Sequence, residues 1–123
     1  MLRYKLRPHN RLKTSQEFQT VFDHNSLRVS SPSLLILAKQ SQLEHARIGL
    51  VIRKKNIRLA HDRNKTKRVI RESFRHLQNQ LAGLDCVVVT RPQITEHSAK
   101  ELRILVDQMF DSLAKKYQID SGQ

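Results

Sequence analysis

Arginine and lysine side chains concentrated between positions 47 and 76 are the residues best suited to chemistry in this sequence. That quarter of the chain holds 11 of the 23 basic residues and only 2 of the 11 acids. At 3.6 residues per turn, a helix here would place Asn64, Arg68, Arg71 and Arg75 on one narrow face. Because arginine donates two parallel hydrogen bonds to a phosphate, this spacing predicts a polyanion-binding surface. A solvated basic helix face is the alternative interpretation.

The predicted surface joins that helix to the loop before it. Glu72 is the one acid placed to neutralise the bases from Arg63 to Arg75. The residues predicted to form this polyanion-binding surface are Arg53, Lys54, Lys55, Arg63, Asn64, Lys65, Lys67, Arg68, Arg71 and Arg75.

The chain as a whole is strongly basic, with a net charge of +12 and a pI near 10.6. Self-repulsion of this size favours a polyanionic partner, and nucleic acid is the leading one. Membrane surface is the rival, but no apolar run approaches the roughly 20 residues that span a bilayer. The composition predicts a cytoplasmic protein without membrane contact, and no obligate protein partner is predicted. At 123 residues the chain is expected to form a single RNA-binding domain.

Phe18 and Phe22 are a second feature with two interpretations. They lie one helical turn apart, so they could stack on unpaired bases, or they could fill the core beneath an amphipathic helix. Spacing alone favours the core.

Catalytic and metal-binding patterns are missing from the sequence. Cys86 lies in an apolar run, which indicates a buried side chain rather than a nucleophile. The six histidines are scattered, and three glycines are too few for a phosphate-binding loop. We therefore expect no catalytic residue and no metal site in the protein.

Hydrophobic periodicity predicts an α+β fold with the order αβββαβα. Helices are expected from Thr14 or Ser15 to about Asn25, from about Asp62 to a left-handed cap at Gly83, and from Ser98 to Tyr117. Strands are expected at 27–30, 34–38, 48–52 and 85–90, the second and third paired antiparallel. Residues 1–13 are predicted to be an extended basic arm and residues 118–123 a flexible tail.

Two motifs in the centre of the chain resemble one known family. The runs from Arg47 to Lys55 (RIGLVIRKK) and from Arg63 to Arg75 (RNKTKRVIRESFR) are similar to the signature of the bacterial ribonuclease P protein subunit. The resemblance extends to Leu12-Lys13, to 17–22 and to 85–90, and covers most of the chain up to about residue 113.

The resemblance implies a subunit of a ribonucleoprotein that removes the 5′ leader from precursor tRNA. Catalysis would belong to the RNA and its Mg²⁺ ions, with no cofactor bound by the protein. The arginine-rich helix would bind ribonuclease P RNA, while Phe18 and Phe22 would line a cleft for the precursor tRNA 5′ leader. The implied fold is a sandwich with a mixed four-stranded sheet, similar to the second domain of ribosomal protein S5, with a left-handed βαβ crossover.

Three positions depart from the family pattern: Lys65 replaces an arginine, Thr66 an isoleucine and Asn56 a glycine. Lys65 keeps its charge but lacks the two-pronged guanidinium. Two other functions remain open on the residues alone. One is a structural RNA-binding protein of the ribosomal type. The other, DNA binding, is disfavoured because no helix-turn-helix spacing is present.

Overall fold

The computed structural model describes residues 8–120, which form a four-stranded sheet with helices on both faces. The elements in chain order are a 3₁₀ helix Pro8–Asn10, α1 (Ser15–His24), β1 (Leu27–Ser30), β2 (Leu34–Gln40), β3 (Arg47–Val51), α2 (Ala60–Leu77), β4 (Leu84–Thr90), a 3₁₀ helix Pro92–Glu96 and α3 (Ala99–Asp120). The predicted order αβββαβα is confirmed.

Both predicted ends of the chain lie partly outside the described residues. Residues 1–7 of the predicted arm and residues 121–123 of the predicted tail belong to those parts. Residues 118–120 belong to α3, which ends at Asp120 rather than at the predicted Tyr117. Within the arm, Arg11 forms a parallel bridge with Ile48, and the Leu12 N–H donates to the Ile48 carbonyl at 2.9 Å. Arg11 and Leu12, at the end of the arm, therefore lie along the outer edge of β3.

The sheet is mixed, with the strand order β1-β2-β4-β3. Strand β4 pairs antiparallel with β2 and parallel with β3, so the predicted antiparallel pairing of β2 with β3 is wrong. All seven residues of β4 are buried, and a strand buried on both faces takes a central position. Strand β3, α2 and β4 thus form a parallel βαβ unit. The left-handed sense of that crossover stays a prediction from the family resemblance.

The alternation along β4 separates two hydrophobic layers. Cys86 and Val88 face the larger layer, which α2 and α3 cover, while Val87 and Val89 face α1. Burial raises the pKa of the Cys86 thiol well above its ordinary value, so Cys86 behaves as the predicted small hydrophobe. Among residues 8–120, no helix is long and apolar enough to cross a membrane.

Capping residues fix where α1 and α3 begin. The Thr14 hydroxyl accepts the Glu17 N–H, and the Glu17 carboxylate accepts the Thr14 N–H in return, which forms a capping box. Ser98 and Glu101 exchange the same two hydrogen bonds ahead of α3. These contacts confirm the predicted starts of both helices.

Helix α2 ends earlier than its apolar stripe suggests. It stops at Leu77, and a chain of tight turns then carries the buried Leu81 into the core. Gly83 does have a left-handed φ of 91°, but it lies six residues after the helix, directly before β4. The prediction of Gly83 as the helix cap is therefore wrong. Glycine is favoured there because the left-handed φ strains residues that carry a Cβ atom, and such an atom would also lie 2.9 Å from the Tyr117 hydroxyl.

Candidate nucleic-acid interface

The basic face of α2 borders a surface groove of about 430 Å³. Helical periodicity places the groove residues of α2 on one side of the helix. The segment along β3 (residues 9–13) adds one more base, Arg11, from the opposite wall. The groove is lined by Arg11, Asn64, Lys67, Arg68, Arg71, Glu72 and Arg75. Five of its seven residues are bases and one is an acid.

Positive charge in this groove is only partly neutralised. Glu72 pairs with Arg75 and lies 3.3 Å from His76 Nε2, and the Arg75 hydrogen bond lowers the pKa of its carboxyl. Arg71 has no acidic partner among the described residues. Burial, and then the nearby charge of Arg11, lowers the pKa of its guanidinium. Two guanidinium groups that repel each other in a half-enclosed groove are stabilised by an anion placed between them.

The remaining predicted residues are spread around the groove rather than within it. Arg63 turns its Nη1 toward the carbonyls of Ile57 and Arg58 at 2.9 and 2.8 Å, which ties the loop to the first turns of α2. Arg53, Lys54 and Lys55 are exposed in the turn after β3, and none of them lines the groove.

Lys65 and Thr66, two of the family departures, lie on the opposite flank of α2. They line a second groove of about 280 Å³ between α2 and the start of α3. Thr66 is buried, and its hydroxyl donates to the Asp62 carbonyl of its own helix at 2.9 Å. The third departure, Asn56, does not adopt a left-handed φ. Its Oδ1 accepts the Thr90 hydroxyl at 2.9 Å.

Phe18 and Phe22 project from α1 above the other face of the sheet. Phe18 is half-buried against Leu12 and Gly49, so closely that a Cβ atom on Gly49 would lie 2.5 Å from the ring. Phe22 remains 37% exposed. Leu35 also packs into this layer. The arrangement gives one aromatic ring to the core and leaves the other accessible beside it.

Two ion pairs that share Arg47 connect α1 to the sheet on the face that carries Phe18 and Phe22. Arg47 donates two hydrogen bonds to the Asp85 carboxylate at 2.8 and 2.7 Å, and a third to Glu17 at 2.7 Å. Glu17 is also the acceptor of the capping box, and the N–H groups of Lys13 and Thr14 lower the pKa of its carboxyl. The charge of Arg47 is therefore balanced within the protein.

The sequence missed two roles that depend on tertiary contact. The sequence predicts Arg11 only as part of the basic arm, yet Arg11 forms a wall of the α2 groove. Arg47 begins the basic run of the family motif, yet it pairs with two acids. Alternation beside β3 could have indicated the first role, since Leu12 is apolar and Arg11 must then face the opposite side.

Comparison with known proteins identifies the family. The model of the family described as ribonuclease P matches residues 6–114. The ribonuclease P protein component of Histophilus somni is 45% identical over 100 residues, covering 81% of this chain and 83% of the relative. That of Pseudomonas aeruginosa is 46% identical over 106 residues, covering 86% and 76%.

Solved structures show the same fold. The RNase P protein of Staphylococcus aureus aligns with a TM-score of 0.73 at 22% identity, over 88% of this chain and 94% of that one. The RNase P protein of Thermotoga maritima, solved with 1-(4-fluorophenyl)-2-thiourea, aligns at 0.68 with 25% identity, over 80% and 95%. With the family model matched over most of its length, the chain belongs to the ribonuclease P protein family.

Proposed function

We propose that this protein binds ribonuclease P RNA and the 5′ leader of precursor tRNA, and so promotes endonucleolytic removal of the leader in the bacterial cytoplasm. The observation that carries the proposal is the α2 groove, where Arg71 lies near the charge of Arg11 and has no acidic partner among the described residues. RNA phosphates are the anions that such a groove fits.

The α1 face suits a different part of the substrate. Phe22 offers an exposed ring beside Phe18, and a single-stranded leader has unpaired bases that stack on aromatic side chains. The groove and the aromatic pair lie on opposite faces of the sheet. The protein can therefore hold the catalytic RNA on one side and the leader on the other.

The described residues favour a binding role over a catalytic one. The fold does bring Ser33 and His97 together, with the hydroxyl 2.7 Å from Nε2. However, Ser33 is only 3% exposed and sits in the turn before β2, so a substrate cannot reach its hydroxyl. Catalysis would then rest with the RNA and its Mg²⁺ ions.

The decisive experiment is leader cleavage by a bacterial ribonuclease P RNA at low Mg²⁺. Wild-type protein should stimulate cleavage strongly, whereas Arg68→Gln/Arg71→Gln should need much more protein for the same rate. Lys100→Gln/Lys115→Gln removes the same charge from the exposed side of α3 and should behave as wild type. Equal stimulation by both double variants at physiological salt would show that the α2 groove does not bind the RNA.

A second variant separates the leader from the catalytic RNA. Phe22→Ala should weaken binding of precursor tRNA to the assembled complex about tenfold, because one stacked base is worth roughly 1–3 kcal/mol. Binding of the catalytic RNA should not change. If precursors with and without a leader lost the same affinity, the aromatic pair would not be the leader contact.

A further inference from the structure

A second basic groove, of about 270 Å³, lies beside the start of α1 at the outer edge of β3. Three of its bases come from the segment along β3, and two more come from the end of the β2–β3 loop and the start of β3. The groove is lined by His9, Arg11, Lys13, Glu17, Leu43, His45 and Arg47. Neither histidine belongs to the motifs used to define the RNA-binding surface above.

The two histidines are held together by the fold. Their rings meet edge to face, with centroids 4.6 Å apart and planes at 89°. His45 Nε2 lies 2.9 Å from the His9 carbonyl. Since a carbonyl only accepts, Nε2 carries the proton and Nδ1 is left to take up a second one. Each proton gained would add positive charge to a groove that already contains several bases.

The one acid in the groove is already engaged. Both oxygens of Glu17 have partners: Oε1 accepts the N–H groups of Lys13 and Thr14, and Oε2 accepts Arg47. The described charged groups facing the histidines are Arg11 and Lys13 from the segment, Glu17 from α1 and Arg47 from β3. Arg47 is shared between Glu17 and Asp85, so these three side chains together carry a charge of −1. Arg11 and Lys13 carry +2, and they form no ion pair among the described residues, which leaves them available to an external anion.

We propose that His9, Arg11, Lys13 and His45 form a second RNA phosphate site at the β3 edge, which binds more tightly as its histidines gain protons. Arg11 lines both this groove and the α2 groove. The two grooves therefore form one cationic track around the edge of the sheet. A phosphodiester backbone fits such a track, because its charges repeat along the strand. The inference rests on the proposed function, since it extends the path of the same RNA.

The linkage between protons and RNA has a definite sign. Histidine changes charge in the mildly acidic range, and a nearby phosphate favours its charged form. RNA binding should therefore take up protons, and affinity should rise as the pH falls from about 8 to about 6.

The test compares wild type with His9→Gln/His45→Gln in binding to ribonuclease P RNA alone and in binding of precursor tRNA to the assembled complex. Glutamine at position 45 keeps an N–H donor for the His9 carbonyl. Wild-type affinity should increase roughly three- to tenfold between about pH 8 and about pH 6, and the double variant should lose most of that increase. The slope of log affinity against log salt at pH 6 should fall by about 1 for a lost phosphate contact. Loss of the pH dependence and of the salt slope for either RNA supports the site. The RNA that shows the loss is the one that supplies the phosphate.

Two controls separate this site from other effects. His61→Gln/His76→Gln removes the histidines of α2. Its RNA affinity should still increase as the pH falls, because His9 and His45 at the β3 edge are unchanged. Should the double variant unfold more easily than wild type, His9→Gln alone tests the charge of one histidine, because it keeps the backbone carbonyl that His45 Nε2 contacts.

Equal pH dependence and equal salt slope in wild type and His9→Gln/His45→Gln, for both RNAs, would overturn the second site while leaving the proposed function intact. If wild-type protein neither bound ribonuclease P RNA nor stimulated cleavage, the proposed function would fail, and the second site with it. The two failures are therefore distinguishable.

Discussion

Replacing Arg47 by methionine should destabilise the protein more than any change at its exposed basic neighbours. The guanidinium bridges Asp85 of β4 and Glu17 of α1, with both ionic contacts at 2.7 Å. Methionine keeps most of the length and apolar stem of the side chain but removes the charge. Asp85 would then hold an uncompensated carboxylate beside the sheet.

The size of the effect follows from the exposure of each partner. The side chains of Arg47 and Asp85 are 19% and 11% exposed, so this pair lies close to the buried limit, where removing one partner costs roughly 3–5 kcal/mol. Glu17 is 30% exposed, and its share is below about 1 kcal/mol. We expect Arg47→Met to lower the free energy of unfolding by about 3 kcal/mol. For a chain of this length, that is a fall in melting temperature of about 10 °C.

Urea denaturation followed by circular dichroism measures the loss directly. Adding Asp85→Asn to Arg47→Met should restore about 1–2 kcal/mol, because a neutral amide costs less to leave unpaired than a carboxylate. Arg53→Met is the matched control, since Arg53 belongs to the same basic run but is exposed. It should change stability by no more than about 0.5 kcal/mol.

Two results would refute this reasoning. If Arg47→Met unfolded within about 1 kcal/mol of wild type, the ion pair would not anchor α1 to the sheet. If Asp85→Asn made the Arg47→Met variant less stable still, a stranded carboxylate could not be the origin of the loss.

Three further outcomes are expected. Gly49→Ala should displace the Phe18 ring and lower the free energy of unfolding by about 1–3 kcal/mol, measured by thermal denaturation. Adding Phe18→Leu should restore part of this loss, because the smaller side chain leaves room for the added methyl group. Thr66→Ile should raise the urea midpoint, because the lost hydroxyl bonds only its own helix and the added carbons face a groove. Glu17 has a lowered folded-state pKa, so its contribution is present at neutral pH and is lost as the pH falls through that pKa. Glu17→Gln should therefore show a shallower acid dependence of its urea midpoint than wild type.

Local patterns predicted most of the elements but not how the strands are ordered. The helix start at Thr14 or Ser15, the apolar stripe of α2 and the buried run of β4 all depend on neighbours within a few residues, and each is found in the structure. Pairing β2 with β3 followed the usual preference for strands adjacent in sequence. The preference fails here because β4 is buried on both faces and must lie between them.

For the candidate site too, local patterns predicted the residues on one helix face but not the contacts between residues distant in sequence. The face formed by Asn64, Arg68, Arg71 and Arg75 follows from helical geometry and is found lining one groove. No local pattern could show that Arg47 is neutralised, since Asp85 lies 38 residues away. Likewise, charge alone could not separate Arg63, which holds its own loop, from bases that face outward.

The segment beside β3 connects the two faces of the sheet. Adjacent residues of an extended chain point to opposite sides, and here Leu12 packs with Phe18 on the α1 face while Arg11 lines the α2 groove. The Leu12 N–H donates to the Ile48 carbonyl, and Arg11 forms a bridge with the same residue, so β3 positions the backbone of both residues. A phosphate that draws in Arg11 would therefore also constrain the floor beneath Phe18. If catalytic RNA binds Arg11 as proposed, that binding would be coupled to the shape of the aromatic face through two consecutive residues.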